Sequence, residues 1–387
     1  MSLKPRTGIS RIFRTESPAV GSRVVVRRRV PGTEREVTDV IGHVLQLDPL
    51  VVRPQEIGGL PSQAEALTID PAAVVTIRVM PDRTVKNADI RAVEVATARA
   101  FPGLEHRLSR DGQWLLRHGD GVTERSNSAS PIGRAAGFGA VPLAEIMEFY
   151  ARVGAPAIIQ IPERIARPAE RLCAGPEWRL GPEVMVMTRS FTDAAPRPAP
   201  SAPSGRSSAA DANASPDADV DAGASPEADV AADADSLAGR ARLPEGFRFA
   251  CAADPDDTWF SLYHFRGQAL PHHALELLSH EIDDAMAFGR ILAASGETAA
   301  IARATITSDD AERSWLGLSA IEVAPAFRRL GLGAAVTAAM LDWGREHGAG
   351  QAFLQVVHTN QAGVALYRRL GFAEHHRHRY AHHQGGQ

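Results

Sequence analysis

The run IEVAPAFRRLGLGAAVTAAMLDWGREHG, residues 321–348, passes from an apolar segment through two arginines and two glycines into a long stretch of helix formers. Just upstream, SWLGLSAIEV has the apolar, β-favouring content of a strand. Downstream, GAAVTAAMLDWGREH is rich in alanine and stops at Gly348, a glycine placed to close a helix. The junction is therefore strand, short loop, helix. A helix N-terminus presents unpaired N–H groups and a partial positive charge. Gly331 and Gly333 put no Cβ in the way of an approaching anion, and Arg328 and Arg329 add cationic charge beside it. This is the chemistry of a phosphate or pyrophosphate cradle. It is not a Walker loop, because no Gly-Lys-Ser/Thr follows. It is not the dinucleotide fingerprint either, since the third glycine is missing and no acidic residue lies in place on a following strand. Taken alone, the same two glycines also serve tight packing at a turn.

The surrounding segments predict an alternating pattern. EGFRFACA opens as a strand, and the acidic residues of DPDDTWFSLYHFRG suit a helix start. TAAIARATIT and SWLGLSAIEV are strands, AFLQVVHT follows the long helix as another, QAGVALYRRLG is a helix and FAEHHRHRY a last strand.

A second element makes the reading specific. NQAGVALYRRLGF, Asn360 to Phe372, carries Asn360, Leu366, Tyr367, Gly371 and Phe372 in the register of Asn-x-x-Ala-x-x-Leu-Tyr-x-x-x-Gly-Phe, with Gly363 where alanine is common. Together with Arg328-Arg329-Leu330-Gly331-Leu332-Gly333, residues 244–380 resemble the GNAT superfamily of acetyl-CoA-dependent N-acetyltransferases. The resemblance implies an α+β fold in which a mixed sheet is flanked by helices. It implies that backbone N–H groups around Arg329 to Ala334 hold the pyrophosphate of acetyl-CoA. It implies that the backbone of Ile321 to Val323 pairs with the pantetheine arm, that Asn360 hydrogen-bonds that arm, and that Tyr367 protonates the leaving thiolate. No metal is implied. The acceptor amine must be neutral to attack; at pH 7 that costs a lysine-like amine about 4–5 kcal/mol. Glu322, on the strand that ends at the cradle, is the candidate general base, ahead of His358 and His264.

Residues 88–191 alternate helices and strands: ADIRAVEVATARAFPG, QWLLRHG, VPLAEIMEFYARVG, PAIIQIP and EVMVMTRSF. They contain no Arg-x-x-Gly-x-Gly and resemble the degenerate first half of tandem GNAT proteins, with Arg125 and Asn127 of ERSNS near the acceptor. Residues 19–82 hold short Val- and Ile-rich runs between turn signals, with no helix between them, and predict a small closed SH3-like β-barrel after an N-terminal tail, 1–18. That three-part organisation resembles an actinobacterial group in which some members are assigned as N-acetylglutamate synthases of arginine biosynthesis. L-Glutamate as acceptor would need paired arginines for its carboxylates, with Arg125, Arg266 and Arg303 as candidates. A protein-lysine acetyltransferase and a non-catalytic acetyl-CoA-binding regulator are the alternatives.

Between them, residues 192–243 are Ala, Pro, Ser, Asp and Gly, with ASPDADV (214–220) returning as ASPEADV (224–230). Such a composition predicts a disordered acidic linker ahead of a catalytic domain at 244–382. The segment carries nine acidic residues against four arginines, so the overall charge of -4 belongs to it and not to a binding face. Nucleic-acid binding is not expected. No stretch of about 18 apolar residues predicts a membrane span. Two cysteines, Cys173 and Cys251, exclude a disulfide framework, and a cytoplasmic setting is expected.

Overall fold

The computed structural model describes residues 12–30, 37–119, 121–191, 243–265, 267–280, 282 and 285–385. Nearly all of the expected acidic linker, and Arg266, lie outside the described residues.

Strands β1 (Arg23–Arg29), β2 (Val37–Gln46), β3 (Leu50–Pro54), β4 (Leu67–Ile69) and β5 (Val74–Val79) form an antiparallel sheet in the order β4-β3-β2-β1-β5. Side chains two apart, such as Val24 and Val26 or Val40 and Val44, share one small core. The end strands β4 and β5 do not pair, so hydrogen bonds do not close the expected barrel along that seam. Arg27 of the three-arginine run pairs with Asp39 on the neighbouring strand at 2.8 Å, an exposed cross-strand ion pair.

The chain continues through α1 (Asn87–Ala100), a small sheet of β6 (Glu105–Leu108), β7 (Trp114–His118) and β8 (Ser130–Pro131), then α2 (Leu143–Arg152), β9 (Ile158–Pro162), α3 (Arg167–Leu172), β10 (Trp178–Leu180) and β11 (Val184–Ser190). After residue 242 come β12 (Phe247–Ala252), α4 (Asp257–Leu262), the hairpin β13 (His264–Phe265) and β14 (Gln268–Ala269), and α5 (His272–Glu276). The last third is β15 (Met286–Ala293), β16 (Thr298–Ser308), β17 (Ser314–Val323), α6 (Leu332–Glu346), β18 (Gln351–Val357), α7 (Gln361–Arg369) and β19 (Ala373–His383).

These strands make one nine-stranded sheet, β10-β19-β11-β18-β17-β16-β15-β12, with β9 also on β19. Strand β11 comes from before residue 192, yet it lies between β18 and β19, antiparallel to both. The segments 88–191 and 244–382, expected as two domains, therefore share a sheet. Met185 and Met187 of β11 belong to the same core as Leu316, Val336, Met340 and Leu354. Helix α6 covers that core because its apolar residues recur at helical spacing, from Leu332 through Ala335 and Val336 to Met340 and Leu341.

The expected tail also differs. Arg14 is buried and pairs with Glu163 at 2.7 Å and Glu374 at 2.6 Å, while Arg377 pairs with Glu16, Glu183 and Glu374. Residues 12–16 thus stitch β9 and β11 to β19 through charges that the interior cannot leave unpaired.

A second buried group lies under α1. Glu94 accepts from His376 at 2.7 Å, His378 at 3.2 Å and Gln160 at 2.6 Å. Glu94, His376 and His378 are the one set of three potential ligand groups, all within 4.8 Å, among the described residues. Their atoms are engaged with one another. Burial pushes the Glu94 carboxyl up, but His378 and His376 pull it further down, to well below the usual carboxylate range. The stabilisation this represents is complete above the unfolded pKa of about 4.3 and is lost as pH falls towards the folded value. Glu94→Gln should lower stability by about 3–5 kcal/mol, seen as a lower urea midpoint at neutral pH, with the difference from wild type shrinking in acid. Equal midpoints at pH 7 would contradict a charged role for this group.

Candidate functional site

Strands β17 and β18 are the one parallel pair in the large sheet, matched from Trp315↔Gln351 to Leu318↔Leu354. Beyond that point both strands continue without pairing to each other. The other edge of β17 explains the divergence. Ile301 faces Glu322 while Arg303 faces Ser319, so β17 carries an extra residue there, and Ala320 takes φ +50°. A bulge of this kind bends and twists its strand. The result is a cleft of about 260 Å³ between the parted strands.

Residues Ser319 to Glu322 line one side of the cleft and Gln355 to Val357 the other. Ile321 and Glu322 line it; Val323 is the last residue of the strand and packs its side chain on the main core. At the mouth the chain turns through Pro325–Phe327 into α6. Arg329 has φ +70° and Gly331 has φ +81°. Gly331 is a glycine for backbone reasons, because a side chain in that region is strained; a Cβ there would touch nothing within 4 Å. Gly333 differs. A Cβ there would sit at 3.5 Å from Leu366 and Val323, ordinary contact, so nothing inside the protein demands a glycine. The amides of Ala334 and Ala335 both donate to the Gly331 carbonyl, at 3.0 and 3.1 Å. Those of Leu330, Gly331, Leu332 and Gly333 meet no backbone acceptor among the described residues. Leu330 is exposed, and the Arg328 guanidinium lies 3.4 Å from the Val323 carbonyl. Four amides with no partner and a helix N-terminus together make an anion-binding concavity, so the residues present fit the diphosphate of a coenzyme A.

Three further residues of the sequence reading meet in the cleft. Glu322 accepts from the His264 backbone N–H at 2.8 Å, and the His264 ring stands 3.4 Å away, so the hairpin β13–β14 fixes its orientation. Asn360 caps α7 by accepting from the Gly363 amide at 3.0 Å. Tyr367 lies on α7, against Phe372 and the main core, and burial pushes its phenol up to about 12. It keeps its proton at any physiological pH. His358, one residue past β18, donates its backbone N–H to Glu183 and does not line the cleft.

The residues expected at the acceptor end divide. Arg125 lines the cleft, its guanidinium 4.6 Å from the Phe101 ring centroid. Asn127 does not: its carboxamide oxygen accepts from Gly119 and Gly121 while its nitrogen donates to Thr123, so it holds its own loop in shape. Arg303 is buried one layer behind, beyond Phe101, in a separate small cavity. Arg266 lies outside the described residues.

Sequence reasoning missed Tyr263, Gln355 and Tyr380, which also line the cleft, and gave no role to Glu124 of ERSNS, which lines it too. Tyr380 is buried with no hydrogen-bond partner for its hydroxyl. Glu124 stands 3.5 Å from His382. The only available signal was that Glu124 adjoins Arg125 in the polar run TERSNS.

Comparison with known proteins supplies the family. Residues 18–78 match the family described as Rv0428c N-terminal Sm-like domain, and residues 87–220 and 218–381 match the family described as Probable histone acetyltransferase Rv0428c C-terminal. The Probable histone acetyltransferase Rv0428c of Mycobacterium tuberculosis is 31% identical over 365 residues, covering 94% of this chain and 95% of that protein. The streptothricin acetyltransferase of Streptomyces lavendulae is 36% identical over 84 residues, 22% of this chain and 44% of that one. A solved GCN5-related N-acetyltransferase from Kribbella flavida covers 76% of this chain and 95% of its own, with a TM-score of 0.49 and 14% identity. Among the described residues no helix is long and apolar enough to cross a membrane. Identity at that level over nearly the whole length makes this chain a member of the Rv0428c family, an Sm-like domain followed by a GNAT acyltransferase, the class of enzyme that draws its acetyl group from acetyl-CoA.

Proposed function

We propose that this cleft acetylates a lysine-type primary amine, with Glu322 as general base and Tyr367 as the proton donor to sulfur. The carrying observation is that Glu322 and Tyr367 line one cleft between two parted strands, while the free amides at the start of α6 follow on the same chain just past Val323, with Gly333 set against Val323 and Leu366. Acetyl-CoA bound there would rest its diphosphate on Leu330 to Gly333, extend its arm along Ile321 to Val323 past Asn360, and bring its thioester between Glu322 and Tyr367. The neutral amine nitrogen attacks the thioester carbonyl carbon. The N–C bond forms, the C–S bond breaks, Glu322 takes the proton from nitrogen, and the Tyr367 hydroxyl gives one to sulfur. Solvent returns the proton from Glu322 to Tyr367.

The acceptor end favours a cation. Among the described residues two carboxylates, Glu124 and Glu322, line the cleft, with Arg125 the one arginine beside them. L-Glutamate has two carboxylates to satisfy, and Arg303 and Asn127 are engaged elsewhere. Glutamate remains the second reading because Arg125 offers one bidentate partner. An acceptor screen that follows free thiol release separates them. Turnover with a lysine peptide and none with L-glutamate supports the first reading; the reverse pattern supports the second, and with it a place in amino-acid biosynthesis.

A further inference from the structure

Behind the cleft, β16 carries a charge that no carboxylate among the described residues compensates. Arg303 is 2% exposed. Its Nε donates to the Leu278 carbonyl at 2.8 Å and its Nη2 to the Ala100 carbonyl at 3.2 Å. Its Nη1 is buried and has no hydrogen-bond partner. No carboxylate among the described residues pairs with it; burial, and then Arg125 of the same sign, push its pKa down to about 9. At neutral pH the guanidinium is still a cation. An unpaired cation in the interior is among the costlier groups a fold can hold.

The same guanidinium lines a small cavity of about 20 Å³ together with Phe101, Thr123, Ser126, Leu278 and His280. About 10–15 Å³ on this measure accommodates one water-sized particle, so the cavity takes a single small occupant. Thr123 Oγ1 and Ser126 Oγ, 3.0 Å apart, stand on its polar side. A water would fill the space and leave the charge standing. A monovalent anion would fill it and cancel the charge.

We infer that this cavity is a binding site for one small inorganic anion, of chloride size, held by Arg303 Nη1 beside the hydroxyls of Thr123 and Ser126. The inference does not depend on which amine is acetylated. It has a consequence for the cleft, because Arg303 lies 4.9 Å and Arg125 4.6 Å from the centroid of the same Phe101 ring. Anion occupancy would fix Phe101 and through it the stance of Arg125.

The test uses the full-length protein. Thermal midpoints are measured from 1 to 300 mM chloride, with gluconate holding ionic strength constant, and crystals grown in bromide are examined for anomalous scattering. The wild type should gain about 3–6 °C across the range, and bromide should lie beside Arg303. Arg303→Met should lose the chloride dependence without being less stable than wild type in gluconate, since it removes the unpaired charge. Arg303→Lys should keep a weaker dependence. Midpoints for wild type that are the same in chloride and gluconate would overturn the site. So would bromide bound only at molar concentration, or a carboxylate of this chain found on Nη1 in the crystal.

Discussion

Glu322→Gln should lower kcat by about 10²–10⁴-fold while coenzyme A binds as tightly as to wild type. Glutamine keeps the shape of the side chain and its acceptance of the His264 N–H, so the β13–β14 hairpin stays in place. What is lost is the ability to take a proton from the attacking amine. The deficit should shrink as pH rises towards the amine's own pKa, where the acceptor arrives already neutral. Tyr367→Phe removes only a hydroxyl from a ring held by Phe372 and the main core. It should cost about 10²-fold in kcat, because the sulfur then leaves as an unassisted thiolate. Titration calorimetry with coenzyme A, beside steady-state rates across pH 6.5–9.5, gives both readouts. If both variants turn over at the wild-type rate, proton transfer runs through water and neither residue has the role assigned to it. If coenzyme A itself does not bind, the cradle at Leu330 to Gly333 is wrong and the enzyme reading fails with it.

Local chemistry was legible in the sequence where it depends on neighbours along the chain. The helix start after Gly331, the helix end at Arg152 before Gly154 and the strand at Ser314–Val323 all follow from residues within a turn of one another, whereas Asn360, expected only on the pantetheine arm, also caps α7. The nearness of Glu322 along the chain to the free amides at the start of α6 follows in the same way, since both belong to one strand–loop–helix unit. What was not legible depends on partners far away in sequence. EVMVMTRSF reads as a strand, but nothing in it says that β18 and β19 will be its neighbours. Arg303 looked like a carboxylate ligand because arginine so often is one; its burial behind Phe101 follows from its place on a strand buried along nearly all its length. Arg14 looked like part of a tail because its partners Glu163 and Glu374 are 149 and 360 residues away. Gly333 was assigned the same duty as Gly331, whereas backbone strain singles out only the latter.

The interleaving carries the last prediction: residues 243–387 expressed alone should not fold, although they contain every motif of the acetyltransferase. Removing β11 takes Met185, Val186 and Met187, all at most 4% exposed, out of the protein's interior. At about 1.5–3 kcal/mol for each fully buried apolar side chain, that is about 5–9 kcal/mol, comparable with the whole stability of an ordinary domain. The backbone loss is as serious. Strand β18 gives up seven paired positions from Val184↔Val357 to Ser190↔Gln351, and β19 gives up its pairing with the same strand. Two edges would open side by side in the middle of a sheet, where in-register pairing with another molecule is the ready outcome. The fragment should be insoluble, or soluble without a cooperative thermal transition. Coexpressed with residues 1–191 as a separate chain, it should be recovered as a one-to-one complex that unfolds cooperatively and binds coenzyme A, because β9, β10, β11 and Arg14 reach their places without needing a covalent tie. A soluble 243–387 fragment that binds coenzyme A by itself would mean that the cleft is complete within the last third of the chain and that β11 only decorates it.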